Sequence, residues 1–182
     1  MTQTIPTSPP IPKAPSDATF KDGDDFLGSP GLTSLAERIQ QQYPLKFGHL
    51  RDFTLVYFWK RRGGKRAGQP VGGACQKTSG ALRHTSGADF IIWIAADNCR
   101  EASDHELTAL VFHELRHAGF RTQKVTDEDG EENEIVRPAI WGHDWEGFRD
   151  EIEEYGLWSD QAKLVAPAFM QLSLFDGEGG KS

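Results

Sequence analysis

The segment His113-Glu114-Leu115-Arg116-His117 constrains this chain more than any other. On a helix, residues i and i+4 project about 40° apart on one face, so both imidazoles can reach a single ion. Glu114, one step along, comes beside that ion rather than onto it, where a carboxylate can take a proton from metal-activated water. The neighbouring residues predict the helix this needs. Ser103 and Glu106 fit a capping box, with Ser103 as N-cap and Glu106 at N3. Leu107, Leu110, Val111, Glu114 and Ala118 recur at helical spacing, and Gly119 is placed for a C′ stop.

Two imidazoles leave a hydrolytic metal site one protein ligand short, because such sites keep three and an open position for water. Downstream, Trp141-Gly142-His143-Asp144-Trp145 precedes a second helical pattern in which Phe148, Ile152 and Tyr155 share a face. His143 is the expected third ligand. Asp144 is an alternative to it, or a group that orients an imidazole from behind. Glu151 is a weaker substitute. His49, His84 and His105 are expected to be structural or exposed.

A chain of 182 residues can bury one proper core with tails to spare. The hydrophobic fraction of 37% is low for a wholly globular chain, so part is expected to be unstructured. Residues 1–25, which hold Pro6, Pro9, Pro10, Pro12 and Pro15, read as that disordered arm. Residues 26–160 read as the metal-site domain and 161–182 as a tail. A net charge of −7 argues against nucleic-acid binding by the whole surface. No apolar run is long enough for a membrane span and no charged-then-apolar leader is seen, so a cytoplasmic setting, in a bacterium or a phage-infected host, is expected. Cys75 and Cys99 lack CxxC spacing, which excludes a zinc ribbon and predicts two buried reduced thiols.

Further elements follow from pattern. Leu32–Tyr43 predicts a first helix that Pro44 ends. Phe53–Trp59 and Ala88–Ala95 predict buried strands, and Val71–Lys77 a short one that Gly72 and Gly73 weaken. Lys60–Arg66 carries five positive charges in seven positions. It is a candidate DNA contact, though a solvated hairpin tip is the favoured reading. Asp129-Gly130 predicts a turn between Val125-Thr126 and Ile135-Val136 in an acidic run that would repel phosphate. Asp160–Ala166 predicts a short helix. Beyond it, Gln171, Leu172, Leu174 and Phe175 of QLSLF look like the bacterial sliding-clamp-binding motif, in which the glutamine hydrogen-bonds and Leu174 and Phe175 fill an apolar pocket. Packing of these side chains on their own domain is the equal alternative.

The order of a basic loop after an aromatic strand, an apolar strand, His-Glu-Leu-Arg-His, an acidic hairpin, then Gly-His-Asp and Tyr-Gly-Leu-Trp resembles the phage metallopeptidase family over residues 50–158. It also looks like a minimal relative of the SprT-like zinc proteases, without their cysteine ribbon. The resemblance implies an α+β, zincin-like fold: a small, mostly antiparallel or mixed sheet packed on the metal helix, with a second helix at the metal site. It implies one Zn2+ per chain held by His113, His117 and His143, a protein or peptide substrate, and Glu114 as general base. The developing oxyanion also needs a donor, and Tyr155 and Arg137 are the candidates. The alternative reading is a catalytically inactive, zinc-containing accessory module of phage or host DNA metabolism.

Overall fold

Short apolar runs broken by Gly and Pro set the order of elements in the computed structural model, which describes residues 9–127, 130–143, 149–159 and 163. The chain divides into two compact units, residues 1–142 and 143–182. In the first, strand β1 (Phe26–Gly28) leads to helix α1 (Pro30–Gln42). Ser29 caps α1 by accepting from Leu32 N at 3.1 Å, and Pro30 takes the first helical position, where its missing N–H leaves nothing unsatisfied. A short helix α2 (Pro44–Phe47) and a 3-10 turn at Gly48–Asp52 bring the chain to β2 (Leu55–Lys60). After it come β3 (Lys65–Arg66), β4 (Gln69–Pro70), β5 (Gly73–Lys77), helix α3 (Gly80–Ser86) and β6 (Phe90–Ala95). Helix α4 (Asp104–His117) carries the histidine pair and runs directly into β7 (Ala118–Thr126), which pairs with β8 (Glu132–Ile140). In the second unit, α5 spans Arg149–Tyr155.

The fold is α+β. Its main sheet is mixed, in the order β1-β2-β6-β5: β6 runs parallel to β2 and antiparallel to β5, so β5 is an edge and β6 is interior. The sequence shows why. Phe90-Ile91-Ile92-Trp93-Ile94-Ala95 is apolar without alternation, as expected of a strand covered on both faces, and five of its six residues are buried. Leu32, Leu35, Ala36 and Ile39 of α1 and Leu107, Val111, Phe112 and Leu115 of α4 supply the apolar layer against this sheet. Phe112 is fully enclosed, with the rings of Tyr43 and Phe47 edge-on to it at 5.3 and 5.1 Å.

Several expectations change. Gly119 falls at C′ as expected, since the helix ends at His117 with Ala118 as its cap, but it does not take the left-handed conformation of a glycine stop and lies inside β7. The hairpin that contains Gly130 is far longer than the two dipeptides suggest, since its polar strands lack the alternation that would reveal them. Gly130 has the positive φ, 84°, that the turn requires. Helix α3 gave no amphipathic signal, and none of its residues is buried. Cys99 is a buried free thiol as expected, whereas Cys75 is only half-buried.

From residue 9 the proline-rich segment lies on the domain: Arg38 donates to Pro9 O at 2.8 Å, Lys13 pairs with Asp104, and Phe20 is buried. Prolines lower the entropy lost when such a segment settles, so few contacts suffice. Part of the basic loop is also engaged. Asp17 faces Arg61 and Arg62 at 3.8 and 3.3 Å, and the Lys60 ammonium sits 4.3 Å from the Trp93 ring centre. Asp144, Phe148, the segment 160–166 apart from Lys163, and the QLSLF residues lie outside the described residues. Among the described residues no helix is long and apolar enough to cross a membrane.

Candidate metal centre

Helix α4 begins as the sequence predicts. Ser103 Oγ accepts from Glu106 N at 3.2 Å, while Glu106 Oε2 accepts from Ser103 N at 2.8 Å. This reciprocal box satisfies two of the orphan donors of the first turn and fixes where the helix starts. The start in turn fixes which residues face inward. Leu107, Val111 and Leu115 point to the core, and Glu114 is 4% exposed. His113 and His117 fall one turn apart at the helix's end, half-buried, with ring centres 5.0 Å apart.

Two glycines let α4 approach β5. A Cβ on Gly72 would stand 3.2 Å from Leu110, and one on Gly73 would stand 3.0 Å from Glu114 Oε1. The pair that reads as a weakness in a strand therefore leaves room at this contact: a side chain at Gly72 would press on Leu110, and one at Gly73 on the buried carboxylate, by a few tenths of an ångström. Beside it, burial raises the Cys75 thiol pKa, and the Glu114 charge adds to the rise. Cys75 thus stays a neutral thiol next to the carboxylate.

The second turn of support comes from β8's end. Trp141 N donates to His117 O at 2.9 Å, and His117 Nδ1 lies 2.8 Å from Trp141 O. A carbonyl can only accept, so Nδ1 carries the proton and Nε2 presents its lone pair, the tautomer a metal ligand needs. Trp141 is itself held. Its Nε1 donates to Phe120 O at 3.1 Å, its ring lies 4.9 Å from that of His49, and His49 Nε2 is 2.9 Å from Ala118 O. The indole lies over Gly119, where an added Cβ would come within 2.3 Å of ring atoms. Sequence reasoning missed Trp141, Gly119 and His49 in this role. The first two neighbour the candidate histidines in sequence, but nothing links His49 to them except the fold.

One ligand atom from each of His113, His117 and His143 lies within 4.8 Å of the others, with His143 exposed. A tetrahedral ion with metal–nitrogen bonds of about 2.0–2.1 Å holds its ligand atoms about 3.4 Å apart. The group could therefore hold a metal ion. Of the other candidates, Glu151 is buried and accepts from Trp158 Nε1 within the second unit. Tyr155 ends α5. Arg137 stands on β8 directly across from Arg121, exposed, four residues before Trp141.

No curated protein and no solved structure matches the chain significantly. A family model described as "Putative phage metallopeptidase" matches residues 24–168, which include the histidine pair, the buried glutamate and His143. With that match over most of its length, the chain belongs to the phage metallopeptidase family.

Proposed function

We propose that the protein is a zinc-dependent peptidase of zincin-like build, with His113, His117 and His143 as ligands and Glu114 as general base. The observation that carries this reading is the convergence of three imidazoles beside a buried carboxylate, with one imidazole held in its metal-binding tautomer. Three neutral nitrogen donors suit zinc and leave a fourth position open.

A bound Zn2+ supplies Lewis acidity, polarising the scissile carbonyl and bringing the pKa of water to about 7. The chain's own residues do the rest. His117 keeps its orientation through the Trp141 carbonyl. Glu114, fixed between α4 and the glycines of β5, accepts a proton from the attacking water on a carboxylate oxygen. It then donates that proton to the leaving nitrogen, so the amine departs neutral. The negative charge building on the carbonyl oxygen requires a donor, for which Tyr155 is the candidate; Arg137, paired with Arg121 four residues along the hairpin from His117, stands roughly 13 Å away, too far for that role. Residues Gln171, Leu172, Leu174 and Phe175 would bring this activity to a bacterial sliding clamp, a recruitment function separate from catalysis.

The decisive comparison is wild type against Glu114→Gln, with zinc content and cleavage of a denatured protein substrate measured on the same preparations. One zinc per chain in both and a loss of turnover of about 10²–10⁴-fold in the variant is the expected result. Equal cleavage by both proteins removes Glu114 as base. Zinc in both with no cleavage by wild type against any unfolded substrate favours the accessory-module reading.

A further inference from the structure

An open, solvent-exposed cavity of about 300 Å³ lies where the end of β5 and the start of α3 face the β7–β8 hairpin. Lys77, Arg83, Arg121 and Arg137 line it, together with the polar side chains of Ser79 and Gln123. Among the described residues no carboxylate lines it. Arg83 is matched by Asp89 at 2.6 Å, but Lys77, Arg121 and Arg137 have no such partner among the described residues. That concentration of uncompensated cations stands on a chain of net charge −7.

The hairpin makes the arrangement costly. Arg121 and Arg137 are direct cross-strand partners, and like charges in that register oppose pairing. An anion between them turns repulsion into a clamp, since each guanidinium can present two parallel N–H donors to one carboxylate.

The cavity also has a defined relation to the histidine pair. Strand β7 leaves α4 at His117 with no intervening loop, and Arg121 is four residues on. At about 3.3 Å per residue this is roughly 13 Å, the span of about four residues of an extended peptide. The charge pattern selects among anions. Asp127, Glu131, Glu132 and Glu134 follow on the same hairpin, where Glu132 pairs with Lys124 at 3.0 Å and Asp127 accepts from Glu131 N and Asn133 Nδ2 at 2.9 and 2.8 Å. A polyphosphate backbone laid across the cavity would run onto those carboxylates, whereas a single side-chain carboxylate would not.

We propose that this cavity is a specificity subsite that takes an acidic side chain of the peptide substrate, about four residues from the bond to be cut. The inference rests on the peptidase reading above, and its test separates the two. The probes are fluorescein-labelled decapeptides in which one Glu is moved through every position, each beside its Gln counterpart. Binding is measured by anisotropy to zinc-loaded, full-length Glu114→Gln protein, and cleavage is measured with the Glu114-intact chain. At one position the Glu peptide should bind about tenfold more tightly than its Gln twin. Arg121→Gln combined with Lys77→Gln should reduce that ratio to below twofold, with zinc content and melting temperature unchanged. Arg121→Lys, which keeps charge but not the fork, should retain part of the preference.

Wild-type chain that cleaves Glu and Gln peptides alike at every position overturns the subsite and leaves the peptidase reading standing. A Glu preference that survives in the double variant overturns it as well. Loss of duplex-oligonucleotide binding in that variant, with no Glu preference in the parent, reassigns the cavity to nucleic-acid phosphate. Glu-selective binding that depends on Arg121, in a chain that cuts nothing, supports the carboxylate site and removes the peptidase reading instead.

Discussion

Gly119→Ala tests whether the support behind His117 sets metal affinity. The added methyl would fall 2.3 Å from three atoms of the Trp141 indole, more than an ångström inside ordinary carbon contact. The indole cannot simply swing away. Its Nε1 is bonded to Phe120 O, one side of the ring lies against His49, and its own backbone carbonyl faces His117 Nδ1. Overpacking of this kind costs about 1–3 kcal/mol. For a folded unit of this size that corresponds to a fall in Tm of roughly 4–12 °C in the metal-free protein. Displacing the carbonyl also loosens the ring that presents Nε2, and lost outer support of a ligand lowers metal affinity about 10–100-fold. Zinc affinity is read by competition with a chromophoric chelator, and Tm by circular dichroism without metal. The control is Gly119→Ala in a Trp141→Leu background, where the clash is absent and the alanine should cost less than about 0.5 kcal/mol. Equal effects in both backgrounds, or wild-type affinity and Tm in the single variant, refute the argument.

Three other outcomes follow from particular contacts. Ser103→Ala removes one half of the reciprocal cap and should destabilise the protein by about 1 kcal/mol in urea titrations, while zinc affinity ten residues away is unaltered; a change below about 0.3 kcal/mol contradicts the capping account. Burial, with Asp97 and then Glu114 and Glu106 adding to it, pushes the Cys99 thiol from 9.0 up to about 12. Because the folded value is the higher one, its contribution to stability is complete below pH 9 and is lost as pH rises from 9 towards 12. Native Cys99 should therefore resist iodoacetamide at pH 9, and labelling at the rate of free cysteine would show that the thiol is not enclosed. Tyr155→Phe, which removes the candidate oxyanion donor, should lower kcat about 10²–10³-fold with little change in KM; an unchanged kcat means that the donor is another group.

What could be read before folding was local. The cap of α4, its apolar face and the spacing of His113, Glu114 and His117 are all decided within one helical turn or two, and neighbours in sequence report them faithfully. Strand β6 was legible for the same reason, because a six-residue apolar run needs cover on both sides wherever it lies. Gly72, Gly73 and Gly119 were misread because a glycine's meaning depends on what approaches it. The first two admit a helix and the third an indole, and those visitors come from far along the chain. His49 and Ala118 are separated by 69 positions, so no periodicity could pair them. The same holds for the cation cluster. Nothing in the sequence sets Lys77 and Arg83 apart; the hairpin places Arg121 and Arg137 opposite them. Single residues therefore announced the chemistry, while the groups that hold and address that chemistry emerged only from tertiary contact. A search for function confined to motifs will find the histidines and the glutamate of such a chain and overlook what orients them, and it is in those orienting contacts that substitutions separating metal affinity from turnover should be sought.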